Sequence, residues 1–232
     1  MTHALERPAT AEPAPGARHR APAYSGWLPF WCVLIAIVLI GAAAITWVLS
    51  PSWGRHNPIA DARDVGSVPG ASVPAPHHAK PGLDLAPNRL VIAKLGADAP
   101  ILGIDTENGA LEPPINPREV GWWRGGAKPG AATGTAVITG HINYAGVEGV
   151  MARIGTLNPG DTVWVYGRRD GKQTRMKFAI TGVRTYVKKR LPYAQIFNQH
   201  VAGRLALITC GGPFDATTGN YLDNIVAYAV PA

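Results

Sequence analysis

From residue 88 onward the chain is written in apolar runs that are mostly too short for a helix and are cut at regular intervals by turn formers. The runs "NRLVIAKL" (88–95), "APILGI" (99–104), "GTAVITGHI" (134–142) and "DTVWVYG" (161–167) come first. "RMKFAITGVRTYV" (175–187), "RLALITC" (204–210) and "DNIVAYAV" (223–230) complete the set. Each is rich in β-branched or aromatic residues and bounded by Gly, Pro, Asn or Asp, which is how strands closed by turns read. "RRDG" (168–171) predicts a tight hairpin turn between two of them. Only "GVEGVMARIG" (146–155) and "PYAQIF" (192–197) suggest short helical turns. Without a βαβ rhythm, the expectation is an all-β barrel or sandwich. Roughly 140 residues suffice to bury such a core without disulfides.

The N-terminal part differs. Residues 1–26 are polar and rich in Pro, Ala and Arg, as disordered tails are. "WLPFWCVLIAIVLIGAAAITWVL" (27–49) then carries no charge and exceeds the about 18 apolar residues that mark a membrane-spanning helix. Trp27 and Trp31 at one end and Trp47 and Trp53 at the other fit interfacial aromatic belts. The apolar core is longer than a signal-peptide h-region of about 7–15 residues, so an uncleaved anchor is expected. Residues 50–87 form a Pro/Gly/Ala-rich linker, and 88–232 the folded domain. His77 and His78 lie in that linker without further ligands and suggest no metal site.

The net charge of +7 is spread without a dense Lys/Arg block, which argues against nucleic-acid binding and is compatible with an anionic membrane or wall surface. The two cysteines are Cys32, inside the apolar segment, and Cys210, so neither a disulfide framework nor a CxxC metal site is expected. Glu107, Glu112 and Glu119 make no calcium loop, and no metal or cofactor is predicted.

Cys210 ends "RLALITC" just before a Gly-Gly break, where a strand end lets a side chain reach a cleft. A thiol of pKa about 8.5 needs a base or cation nearby to act as a nucleophile at neutral pH. Only His141 and His200 fall in the folded domain, and His200 sits in the polar turn "NQHVAG". His141 ends "TAVITGH" much as Cys210 ends its own run. By alternation His141 shares a face with Val137 and Thr139, and Cys210 with Ala206 and Ile208, so the two can meet at one rim of a barrel. Trp122, Trp123, Asn143 and Tyr144 flank this region as groove residues or as packing and turn residues.

"TGHINYAG" (139–146), "LITCGG" (207–212) and the anchor–linker–barrel order resemble the sortase family. "GWWRGGAKPG", "RIGTLNPGDTVWV" and "CGGPFDATTGNYLDN" are similar to the class F sortases of high-GC Gram-positive bacteria. The resemblance covers about residues 88–232. It implies an all-β, eight-stranded sortase-like barrel with one or two short helices, preceded by a single transmembrane helix. It also implies a membrane-anchored cysteine transpeptidase whose catalytic domain lies outside the cytoplasm. Cys210 would attack a backbone carbonyl in an LPxTG-type sorting signal, His141 would protonate the leaving amine, and an amine of peptidoglycan or its precursor would resolve the thioester. One residue departs from the family: where class F proteins read "YRDN", this chain reads "YLDN", Tyr221 to Asn224. Leu222 cannot donate a hydrogen bond. Asn224, backbone N–H groups near Gly211 and Gly212, or Arg184, Arg190 or Arg204 are the candidates to replace the arginine. The competing reading is a catalytically weakened sortase-like module that binds peptides or proteins. An L,D-transpeptidase keeps His and Cys close in sequence, and a redox thiol needs a resolving cysteine; neither fits.

Overall fold

The computed structural model describes residues 60–70 and 85–232. Among these the strands are β1 (Val65–Gly66), β2 (Ala86–Ile92), β3 (Ala97–Ile104), β4 (Val120–Trp123), β5 (Thr135–Thr139), β6 (Asn143–Tyr144) and β7 (Val147–Glu148). β8 (Thr162–Arg169), β9 (Lys172–Val187), β10 (Arg204–Asp215) and β11 (Asn220–Pro231) follow, with one α-helical turn, α1 (Tyr193–Ile196), between β9 and β10. Eight of them run in the order β9-β11-β10-β5-β4-β3-β2-β8, and β8 pairs back onto β9, so the sheet closes into a barrel. Closure removes the unpaired sheet edges that an open sheet would present. β3–β4 and β5–β10 are parallel pairs; the other pairings within the barrel are antiparallel.

Side-chain alternation fills the barrel. In β8, Val163 and Val165 are fully buried while Trp164 and Tyr166 stay half-exposed on the outer face. Leu90, Ile92, Ile138, Phe178, Leu205, Leu207 and Ile225 join them inside. Each such side chain stabilises the fold by about 1.5–3 kcal/mol relative to exposure. A second cluster lies outside the wall, where Ala206, Ile208, Val137, Val226 and Tyr228 pack beneath Ile196 of α1. β10 is therefore buried on both faces, which explains why "RLALIT" reads as a continuous apolar run.

The hairpin at "RRDG" forms as expected, with Asp170 and Gly171 at φ +49° and +73°. β4 is a strand too short to stand out in the sequence, and it splits the tryptophan pair. Trp122 faces the barrel core and donates from Nε1 to the Ala127 carbonyl at 3.1 Å. Trp123 packs outward, edge-on to Phe197 at 5.3 Å. The expected helical turn at 146–155 is instead β7 followed by turns and a short 3-10 piece at 154–156, in a segment carrying three glycines, Gly146, Gly149 and Gly155, of which Gly146 sits at φ +79°.

Part of the segment expected to be linker belongs to the domain. Ala60 and Leu85 are buried, and β1 pairs with β9 through Val65↔Val183 and Gly66↔Gly182. The Arg184 guanidinium donates to the carbonyls of Val65 and Gly66 at 2.7 Å each, and Arg204 donates to that of Pro69 at 2.6 Å. Thr185 N–H donates to the Asp64 carboxylate at 2.8 Å. Residues 60–69 thus form a strap along β9. The expected tail (1–26) and anchor (27–49) lie outside the described residues; among those described, no helix is long and apolar enough to cross a membrane.

A Cβ at position 182 would lie 2.7 Å from the Ser67 carbonyl oxygen and 2.8 Å from that of Val65. Gly182→Ala should therefore lift the strap, cost about 1–3 kcal/mol, and raise amide exchange at Ser67, whose N–H donates to the Thr181 carbonyl at 2.9 Å. Unchanged exchange there would show that the strap tolerates a side chain beneath it.

Candidate active site

The parallel pairing of β5 with β10 sets the site. Thr139 lies level with Ile208, and the ladder ends where Gly140 N–H donates to the Ile208 carbonyl at 3.1 Å. Thr209 Oγ1 donates to the Gly140 carbonyl at 2.8 Å and fixes the point where the two chains part. His141 is two residues beyond Thr139 and Cys210 two beyond Ile208. They therefore arrive at one level on neighbouring segments, where strand spacing is about 4.8 Å. Val137, Ala206 and Ile208 share the outer cluster, so the alternation that assigns His141 and Cys210 to those residues' faces assigns them to the same face.

Gly211-Gly212 does not end the strand. β10 continues to Asp215, with its register against β11 shifting between Gly211 and Phe214. Gly212 sits at φ +69°, and a Cβ there would lie 2.1 Å from Asp223 Oδ2. What ends near Cys210 is its partner β5, and the bulge bends the strand just beyond the thiol. Cys210 is half-buried and packs against the small cluster of Ala60, Ile142, Ala152 and Tyr221, alongside Phe214.

His141 is also half-buried. Burial pushes its imidazolium down from the ordinary value, opposed by a hydrogen bond to the Pro114 backbone and by the charge of Glu112. A carbonyl that accepts from one ring nitrogen orients the imidazole and leaves its other nitrogen for chemistry. The Tyr144 ring lies 4.9 Å away, tilted by 35°. Among the described residues no hydrogen bond joins the imidazole to the thiol.

On the far side of Cys210, Asn224 is its direct cross-strand partner, and Tyr186 is the partner of Asn224 on β9. Leu222 falls on the same face by alternation and is 46% exposed. Arg184 is engaged with the strap carbonyls. Arg204 is buried near the opposite end of β10, where it donates to Thr135 Oγ1 at 2.9 Å and to the Pro69 and Gln195 carbonyls. It lies six positions before Cys210, about 20 Å of strand, so it serves the fold. Arg190 is exposed in the 188–190 turn beyond β9. Asn224 is thus the polar side chain whose register places it opposite Cys210.

Asn143 and Tyr144 do both shape this rim: they form β6, which turns back onto β7. His200 lies exposed in its turn, as its sequence context predicts. Pro114, Glu112 and the strap residue Ala60 carry no motif that links them to His141 or Cys210, and tertiary folding brings them there.

A family model described as the sortase domain matches residues 90–232. A search of curated proteins finds no match. Solved structures similar to this chain include a lid mutant of sortase A from Corynebacterium diphtheriae, 16% identical over 65% of this chain and 72% of that one, with a TM-score of 0.48. Group B Streptococcus Pilus Island 1 sortase C2 is 15% identical over 65% and 76%, with a TM-score of 0.47. Sortase C-1 from Actinomyces oris is 20% identical over 62% and 72%, with a TM-score of 0.46.

Because burial lowers the folded-state pKa of His141 below its unfolded value of about 6.5, the unfolded chain takes up this proton first as pH falls. The neutral ring's contribution is fully present above about pH 6.5 and is lost as pH drops through the folded value. His141→Gln should therefore flatten this part of the acid-side loss in thermal midpoint. Melts of both proteins at about pH 7.5 and about pH 5 check it; parallel losses would mean that the folded protein does not disfavour the imidazolium.

Proposed function

Because the chain belongs to the sortase family, we propose that it is a membrane-anchored cysteine transpeptidase whose nucleophile is Cys210 and whose acid–base group is His141. The observation that supports this most directly is the β5–β10 register, which brings both residues to one level on one face. The Cys210 thiol passes its proton to the neutral His141 imidazole as the sulfur attacks the substrate carbonyl and forms a C–S bond; the C–N bond breaks, and His141 gives that proton to the departing amine. A primary amine then attacks the thioester, the C–S bond breaks, and the amine's proton returns to His141 as the thiolate leaves. Water in place of the amine gives hydrolysis.

The substrate in this reading is an LPxTG-type sorting signal, and the acceptor an amine of peptidoglycan or its precursor. The anchor is residues 27–49, with the domain outside the cytoplasm. Class F membership rests on the motifs "GWWRGGAKPG" and "CGGPFDATTGNYLDN". Asn224, opposite Cys210, is the side chain assigned to hold the substrate carbonyl where Leu222 cannot. Loss of one oxyanion donor costs about 10²–10³ in rate in other enzymes, so turnover should be slow. The exposed Leu222 also favours a second reading, a peptide-binding module without turnover.

Full-length protein in detergent, incubated with LPxTG-type peptides and weighed by intact-protein mass spectrometry, separates the two. An acyl adduct absent in Cys210→Ala and His141→Ala supports the transpeptidase, with Leu222→Arg expected to speed its formation by about 10-fold or more. Peptide binding with no adduct in any variant, Leu222→Arg included, would favour the binding module.

A further inference from the structure

A side-chain hydrogen bond joins the segment after His141 to the hairpin after Cys210 across 78 residues of sequence. Asn143 Nδ2 donates to Tyr221 Oη at 2.8 Å. β6 and β7 form a two-stranded sheet of their own and share no ladder with the barrel. The chain returns from this flap where Gly149 N–H donates to the Ile142 carbonyl at 2.8 Å, and the flap carries Tyr144 against the His141 ring. Tyr221 is its counterpart on firm ground. It is 7% exposed, sits on β11 opposite Phe214, and meets the Phe214 ring edge-on at 5.1 Å. It belongs to the cluster against which Cys210 packs.

We propose that Asn143 and Tyr221 are a positioning pair, a latch that holds the His141 flap against the Cys210 hairpin so that imidazole and thiol keep their mutual placement. The inference rests on the assignment of His141 and Cys210 as the working pair. In this proposal both act through the flap, with Tyr221 also packing in the cluster beside Cys210. The phenol hydroxyl is the operative atom, since the ring's packing on Phe214 survives without it. A flap freed at this point lets the imidazole drift from the thiol, and small displacements of a catalytic group cost large factors in rate.

The test needs no substrate. Alkylation of Cys210 by iodoacetamide reports the thiolate, because the thiolate is the nucleophile. The titratable and charged groups on the elements around the thiol are His141, with Glu112 and Tyr144 beyond it, Tyr221 and Asp223 on β11 with Lys188 near Asp223, Tyr186 opposite Asn224 on β9, and Asp61 next to Ala60 on the strap. In the full-length protein, Asn143→Ala and Tyr221→Phe should each slow alkylation at neutral pH by about 3- to 10-fold. The deficit should vanish at alkaline pH, where the thiol ionises unaided. The double variant should be no slower than the slower single one, because both remove the same bond. A wild-type pH profile in both singles, a deficit that persists at alkaline pH, or additive losses in the double variant overturns the latch. His141→Ala separates the two levels of failure. If it leaves the profile unchanged, the His–Cys assignment fails and the latch with it; if it shifts the profile while the latch variants do not, the latch alone fails.

Discussion

Everything at the site depends on β5 and β10 running parallel. Two antiparallel neighbours would carry the residues after their C-terminal ends to opposite edges of the barrel. A parallel pair delivers both ends to the same edge, so His141 and Cys210 each fall two positions beyond a shared rung, Thr139↔Ile208, although 69 positions apart. Parallel pairing requires a long crossover, and here the crossover does structural work. Residues 140–203 hold the flap, the β8–β9 hairpin that closes the barrel, and α1, which covers the outer face of β10.

The rim is then tuned by where strands lose their partners. β5 stops at Gly140 while β10 runs on, leaving Cys210 half-buried beside a gap in the ladder. The bulge at Gly211–Phe214 bends the strand just past the thiol. Pro213 tolerates this position because a bulge does not require its missing N–H. Burial of His141 lowers its affinity for a proton, against the opposing pull of the Pro114 backbone and Glu112.

The arginines show how charge is used away from the chemistry. Arg184 and Arg204 direct their guanidinium groups at backbone carbonyls of the strap and at Thr135. A strap with only a two-residue ladder to β9 needs other partners for its peptide groups, and a guanidinium with five donors can satisfy several carbonyls at once. That commitment removes both from the candidates for the missing family arginine and leaves Asn224 facing Cys210.

The sequence by itself determined the strand content, the hairpin at Asp170-Gly171 and the family motifs. These follow from alternation, turn chemistry and residue identity, all of them local. It was silent on β4, whose four residues give too little periodicity, and it read 146–155 as helical. It also assigned Ala60–Pro69 to the linker, because Gly and Pro there signal a break whether or not the segment docks. Only the tertiary structure decided that β10 pairs with β5 in parallel, that Pro114 meets His141, that Asn143 reaches Tyr221, and that the strap ends beside Cys210. Those contacts join residues far apart in sequence, and their energies come from burial and pairing that exist only once the barrel has closed.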